Sequence, residues 1–161
     1  MDEMNDVIVQ DDLTGRCLTF HIDETIYSLS LIHVIEIIGM QRVTHIPGMP
    51  PYIKGIVNLR GKVVPILDVR LKFGQPERNY DDKTCIIIVL INDMNVGLIV
   101  DRVEDVITVD KSNMAPPPLS AQRIGDSFLD SISTIGDKVI MNIDCEKFFQ
   151  MDMADLFLQE S

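Results

Sequence analysis

Apolar and polar residues alternate with a period of two along much of the chain. Residues 17–22 and 26–30 alternate on either side of a polar turn at 23–25, and residues 34–38 place Glu36 on one face of a further strand. This period is typical of β-strands, because successive side chains point to opposite faces of a sheet. The pattern therefore predicts three short strands within the first 40 residues.

A β-hairpin is predicted farther along the chain. Two apolar runs, Ile53 to Leu59 and Lys62 to Asp68, flank the dipeptide Arg60-Gly61. A two-residue connection that contains glycine favours a tight hairpin, because glycine adopts positive φ without strain. Pro65 has no N–H to donate, so its strand is expected at a sheet edge or beside a bulge.

The pattern then restarts in the second half of the chain. With an offset of 69 residues, 27–38 falls on 96–107, and with an offset of 76, 56–73 falls on 132–149. Offsets that grow along the chain are what small loop insertions would produce. The chain is therefore interpreted as two copies of one five-stranded unit.

A unit of about 60 residues with five short strands has the size of a small SH3-like barrel, whose closure removes exposed sheet edges. We expect a mostly β protein in which two such barrels, at about 17–73 and 85–149, pack through a shared hydrophobic core in a domain spanning 15–150. Duplicated halves can exchange strands, so strand ownership stays open. Residues 1–14 are expected to be a flexible acidic leader, and 151–161 a helical tail that supplies a short C-terminal helix.

Composition agrees with a sheet protein. Valine and isoleucine number 37, against 16 for leucine and alanine together, and β-branched side chains fit a pleated sheet better than a helix. The longest apolar run, Cys85 to Ile91, has seven residues, whereas a bilayer span needs about 20. The N-terminus lacks a basic, apolar signal peptide, so a soluble, cytoplasmic chain without direct membrane insertion is expected.

Charge narrows the range of partners. The chain has 25 acids and 14 bases, so the phosphate backbone of a nucleic acid would be repelled. Residues 41–75 are an exception, with a single acid, Asp68, and six bases. These bases are either solvated charges at strand edges or a docking surface for an acidic partner: Arg42, Lys54, Arg60, Lys62, Arg70 and Lys72.

No constellation in the sequence predicts catalysis, a metal site or a cofactor. The three cysteines are at least 60 residues apart, and the three histidines lack zinc-ligand spacing. The nucleophile elbow and the glycine-rich phosphate loops are missing from the sequence. The carboxylates Asp101, Glu104 and Asp105, with Arg102 among them, are interpreted as a solvated strand face. The sequence therefore favours a binding module over an enzyme.

The segment from Tyr52 to Phe73 closely resembles the signature of CheW-like chemotaxis coupling proteins. Residues 34–37 and 96–106 also match this family, and the likeness runs from about Arg16 to Phe149. The signature has the form Gly-x-x-x-Leu-Arg-Gly-x-x-x-Pro-x-x-Asp, and its fixed positions are Gly55, Leu59, Arg60, Gly61, Pro65 and Asp68.

The resemblance implies a stand-alone, non-catalytic adaptor built from two SH3-like barrels and recruited to membrane-associated receptor arrays. It also implies two partners, the regulatory domain of the histidine kinase CheA and the hairpin tip of chemoreceptors. An apolar receptor groove between the barrels is expected. The residues to which it assigns partner contact are Val34, Glu36, Ile37, Lys54, Gly55, Asn58, Leu59, Arg60 and Gly61.

Two residue roles have alternatives at this stage. Arg60, at the hairpin tip, could fork onto a partner's carboxylate or carbonyl groups, stay solvated, or form an intramolecular bridge to Glu36. Val34, Glu36 and Ile37 could form an apolar ridge that fits a partner barrel, or a core strand. Pro65 and Asp68 are assigned to the fold.

Two other functions also remain as alternatives. One is a CheW-like adaptor in a non-chemotaxis kinase pathway, such as pilus motility. The other, from a different class, is a small β-barrel enzyme or a nucleic-acid binder, which the acidic balance and the lack of stacking aromatic residues on a basic face disfavour.

Overall fold

The computed structural model describes residues 15–117 and 128–149, so the predicted leader and tail lie outside the described residues. Strand dominates, which confirms the mostly β class. The strands are β1 (Arg16–Ile22), β2 (Thr25–Ser30), β3 (Val34–Gly39), β4 (Ile53–Leu59), β5 (Lys62–Asp68), β6 (Cys85–Ile91), β7 (Met94–Val100), β8 (Arg102–Thr108), β9 (Met114–Ala115), β10 (Leu129–Ile135) and β11 (Lys138–Ile143). Helical turns are α1 (Val69–Lys72), a 3₁₀ turn (Lys111–Asn113) and residues 145–149.

The chain divides into two compact units. The terminal unit comprises 1–19, 25–33 and 105–161, and the central unit comprises 20–24 and 34–104. The strands form a six-stranded sheet of order β8-β1-β2-β11-β10-β9 and a five-stranded sheet of order β3-β6-β7-β5-β4. Each sheet therefore takes strands from both halves of the predicted repeat.

Buried hydroxyl and amide groups join three strands of the terminal unit. The Ser28 hydroxyl on β2 donates to Asn142 Oδ1 on β11 at 2.6 Å. The Asn142 amide donates in turn to the hydroxyls of Ser131 and Ser133 on β10, at 2.9 and 2.7 Å. These bonds satisfy polar groups that would otherwise be costly to bury.

The five-stranded sheet of the central unit is open, whereas the sequence predicts closed barrels. The strands at its two edges, β3 and β4, are not joined to each other by a ladder of hydrogen bonds. The chain that follows β3 instead meets β4 at one antiparallel bridge, where Thr44 and Ile56 exchange N–H···O bonds of 2.8 and 2.9 Å. The core inside the sheet consists of Val57, Val64, Ile66, Ile86, Ile88 and Ile99.

Gly55 makes this bridge possible. Its φ is +145°, and a Cβ built there would lie 1.9 Å from the carbonyl oxygen of Thr44. Only glycine lets the two backbones approach this closely.

Of the two placements expected for Pro65, the edge strand is wrong, whereas the β4–β5 ladder does contain a bulge, between Ile53 and Gly55, close to the pair that Pro65 forms. β5 lies between β4 and β7, and Pro65 itself is opposite Ile56 of β4. The parallel pairing with β7 involves Ile66 to Asp68, so it begins one residue after the proline. Pro65 is tolerated because this ladder does not include it.

Candidate functional site

An ion pair links the two ends of the five-stranded sheet. Glu36 lies on β3, the first strand in the hydrogen-bonded order, and Arg60 follows β4, the last. The Arg60 guanidinium donates to the Glu36 carboxylate. Of the roles that the sequence left open for Arg60, the structure shows the intramolecular bridge to Glu36. The Arg60 side chain nevertheless remains 68% exposed.

The hairpin turn fixes the position of Arg60. Leu59 pairs with Lys62, so Arg60 and Gly61 form the predicted two-residue connection, with φ values of +52° and +85°. Two successive positive φ values define a turn whose twist matches that of the strands. The Asn58 side-chain oxygen accepts the Gly61 N–H at 3.0 Å. Asn58 and Gly61 thus hold the turn, and Arg60 adopts a left-handed conformation that costs an ordinary residue about 1 kcal/mol.

β3 presents an apolar ridge beside this hairpin. Its pairing with β6 shifts between Val34 and Glu36, so Ile35 is the extra residue of a β-bulge. Ile35 and Ile37 are 48% and 44% exposed, whereas Val34 is half-buried. The sequence analysis named Ile37 but missed Ile35, although Ile35 lies two positions before Ile37 and is exposed on the same face of β3.

Glu36, Arg60 and the bulge border a cleft of about 190 Å³. Its floor is apolar, because it includes Val64 and Ile88 of the core. Its rim is polar and carries both signs of charge. The complete lining is Ile35, Glu36, Leu59, Arg60, Lys62, Val64, Ile88 and Asn95.

The other residues assigned by resemblance lie apart from the cleft lining. Lys54 forms an ion pair with Glu77 at 2.8 Å and lies 5.9 Å from the centre of the Tyr80 ring. The hydrogen bond from the Lys54 ammonium also lowers the pKa of the Glu77 carboxyl. Gly55 contacts the backbone of Thr44. Lys54 and Gly55 therefore have intramolecular contacts that explain their residue types.

The sequence analysis treats Arg70 as a solvated or partner-facing base, and this is wrong, because the structure buries it within the central unit. Arg70 is 8% exposed and donates to Asp23 at 2.6 Å, to Asp101 at 3.0 Å and to the Pro76 carbonyl at 3.0 Å. These carboxylates raise the pKa of the Arg70 guanidinium. The interpretation of Asp101 as a solvated strand residue is therefore wrong. The two carboxylates lie 47 and 31 residues from Arg70, so no local pattern predicts the network.

Asp68 of the signature has a structural role. Its carboxylate accepts the N–H of Leu71 at 3.2 Å and so caps α1, and it accepts the Tyr80 hydroxyl at 2.7 Å. Burial raises the pKa of Tyr80 above its usual value, and the bond to Asp68 raises it further. These bonds account for a carboxylate that is only 2% exposed.

The histidines and cysteines show no reactive arrangement within 15–117 and 128–149. His21 is buried, with Nε2 3.0 Å from the Glu104 carboxylate. Burial raises the pKa of all three thiols, in the case of Cys145 to about 12. No group of three His, Cys, Asp or Glu residues in these ranges is placed to hold a metal ion. In the same ranges, no helix has the length and apolar character of a membrane span.

Comparisons with known proteins agree with this architecture. The family model described as the CheW-like domain matches residues 16–153. The chain is 33% identical to the chemotaxis protein CheW of Klebsiella aerogenes, over 84% of this chain and 81% of the relative. It is 36% identical to the chemotaxis protein CheW of Bacillus subtilis, over 80% and 83%. The crystal structure of the scaffolding protein TtCheW from Thermoanaerobacter tengcongensis is similar with a TM-score of 0.72 and 35% identity, over 80% of this chain and 88% of that one.

Proposed function

The chain belongs to the CheW-like family, and we propose that its β3 ridge and β4–β5 hairpin bind the regulatory domain of a histidine kinase of the CheA type. The protein is a chemotaxis coupling adaptor, as the family model and the relatives indicate. In this role it links chemoreceptors to the kinase. The face of the central unit that carries Ile35, Ile37 and Arg60 is the surface we assign to the kinase.

Exposure of apolar groups on an edge strand is the observation that carries this assignment. Ile35 and Ile37 lie on β3, at the end of the described sheet order, and Val63 in the adjoining hairpin is 65% exposed. An edge strand with exposed apolar side chains and unpaired backbone groups is a common binding site for the strand or barrel of a partner. Glu36 and Arg60 add charge at the centre of this surface, which favours one orientation of the partner.

The remaining functional assignments rest on the family. We propose that the chain is non-catalytic, that it also contacts the hairpin tip of a chemoreceptor, and that it is cytoplasmic and recruited to receptor arrays. The relatives' names and the scaffold title of the structural relative support this combination.

Titration calorimetry with a purified full-length CheA kinase from the same organism tests the proposed kinase surface. Arg60→Ala is expected to weaken binding while the thermal midpoint falls by no more than about 2–4 °C, because an exposed ion pair contributes at most about 1 kcal/mol to stability. Ile37→Lys is expected to weaken binding more strongly, because it places a charge where an apolar contact forms.

Val139→Lys is the matched control for Ile37→Lys. Val139 is also an exposed β-branched residue, 51% exposed, but it lies on β11 of the terminal unit. Normal binding by Ile37→Lys, or a midpoint drop in Arg60→Ala well beyond about 4 °C with binding intact, contradicts the assignment of this surface.

A further inference from the structure

We propose that the cleft between β3 and the β4–β5 hairpin takes one apolar side chain of the kinase, and that Lys62 pairs with an acidic residue next to that side chain. This inference rests on the proposed function, because it specifies the chemistry of a partner that binds the same surface. It extends the site to Lys62 and Asn95, which the family signature does not single out.

The size and floor of the cleft indicate an apolar occupant. The volume is about 190 Å³, and Leu59, Val64 and Ile88 provide an apolar floor. An apolar space of roughly 150 Å³ is enough to hold a benzene-sized group. A leucine, methionine or phenylalanine side chain is therefore of suitable size. Such a side chain would be an anchor of the kind that dominates small interfaces.

The distribution of charge indicates an acidic neighbour for this anchor. Several cations of the central unit, though not all of them, have intramolecular acidic partners: Arg60 has Glu36, Lys54 has Glu77 and Arg70 has Asp23. Lys62 is exposed at the cleft rim, and no acidic residue in the described parts of the chain lies within ion-pair distance of it. The one carboxylate that lines the cleft, Glu36, is engaged by Arg60. Net positive charge is therefore available to a partner's carboxylate at this rim.

The two features are close enough to recognise two side chains on the same face of one extended segment. Lys62 pairs directly with Leu59 across the hairpin, so the cation and the apolar floor share one face. Adjacent side chains of an extended segment point to opposite faces, so the acidic residue and the anchor are expected two positions apart. We therefore infer a partner motif of the form apolar-x-acidic, in either direction along the segment.

The test measures affinity for the full-length kinase as a function of salt. Lys62→Gln is expected to lower the affinity about fivefold at low salt and to flatten its salt dependence, because one exposed ion pair is lost. Lys83→Gln is the matched control, since Lys83 is an exposed lysine of the same unit outside the cleft, and its affinity should match the wild type.

Charge exchange identifies the partner residue. Lys62→Glu should bind poorly, and one kinase variant with a surface aspartate or glutamate replaced by lysine should restore its binding. Asn95→Phe fills the cleft and should weaken binding, while its circular dichroism and thermal midpoint show that it is folded.

The outcomes separate the two proposals. Unchanged affinity and salt slope in Lys62→Gln, or no kinase variant that rescues Lys62→Glu, overturns the acidic contact. Normal binding by a folded Asn95→Phe overturns the apolar anchor. Loss of binding in Lys83→Gln as large as in Lys62→Gln means that overall charge, and not Lys62, is responsible. Absence of wild-type binding overturns the proposed kinase surface itself, and this inference with it.

Discussion

Two glycines and an arginine of the signature shape the candidate surface through contacts inside the protein. Gly55 allows Thr44 to reach β4, and Gly61 completes the turn that presents Arg60. Arg60 then pairs with Glu36, so one guanidinium joins the first and last strands of the sheet and still faces solvent. The two glycines therefore act on the candidate surface through the backbone, whereas Arg60 remains exposed to a partner.

Gly55→Ala is predicted to destabilise the protein by about 2–3 kcal/mol. The added Cβ would collide with the backbone carbonyl of Thr44, and a φ of +145° is strained for alanine. Urea unfolding measures the loss. Gly39→Ala is the control, because Gly39 has no atom within 4 Å of a built Cβ and no positive φ, so its stability should be nearly unchanged. Equal stability of the two variants would contradict this role of Gly55.

Side-chain bonds attach the connector that precedes β6 to the central sheet. Pro76 accepts from Arg70, Arg78 donates to Asp101 at 3.2 Å, and Tyr80 donates to Asp68. The connector has no regular secondary structure, so these bonds hold it in place, as a ladder of backbone hydrogen bonds holds a strand. Residues 74–84, a segment without regular secondary structure, are thus held against the sheet by their side chains and one backbone carbonyl.

Tyr80→Phe is predicted to cost about 1 kcal/mol at neutral pH and to reduce the alkaline sensitivity of the fold. Because the pKa of Tyr80 is raised in the folded state, the unfolded state loses this proton first, from about pH 10. The free energy of unfolding therefore falls as pH rises above that value, and is unaffected by this group below it. Urea unfolding at pH 8, 10 and 11 should give a shallower decline for Tyr80→Phe. Parallel curves for the two proteins would contradict the linkage.

Charge is unevenly divided between the two units. The central unit has ten acids and nine bases, whereas the terminal unit has fifteen acids and five bases. The overall excess of negative charge is therefore almost entirely a property of the terminal unit, and the proposed kinase surface lies in the nearly neutral one. An acidic segment of a partner is repelled less there than the net charge of the whole chain suggests.

Added salt is predicted to raise the thermal midpoint by a few degrees between about 0.02 and 0.5 M NaCl. Repulsion among excess acids opposes compactness, and salt screens it, whereas the buried Arg70 network is screened much less. The effect should shrink near pH 4.5, the sequence pI, where the net charge approaches zero. A midpoint that falls with added salt at pH 7 would show that favourable ion pairs outweigh this repulsion.

Much of the secondary structure is predictable from the local pattern of residues. The limits of β4 and β5 and the two-residue turn between them were read from sequence, because strand alternation and turn chemistry depend on neighbouring residues alone. The repeat predicted ten strands, and the described residues have eleven, because the two-residue strand β9 was not expected. Closure was predicted incorrectly, because whether β3 meets β4 in a ladder or at a single bridge depends on long-range backbone geometry.

By itself, the sequence determined the strand-rich class, the hairpin that carries Arg60 and the CheW-like signature, all of which depend on residue types at fixed local spacing. Only the tertiary structure decided which strands share a sheet, that Glu36 engages Arg60, that β3 has a bulge at Ile35, and that Arg70 is buried between Asp23 and Asp101. The physical reason is distance along the chain: these contacts join residues tens of positions apart, or depend on the register of a partner strand, and no local period encodes them.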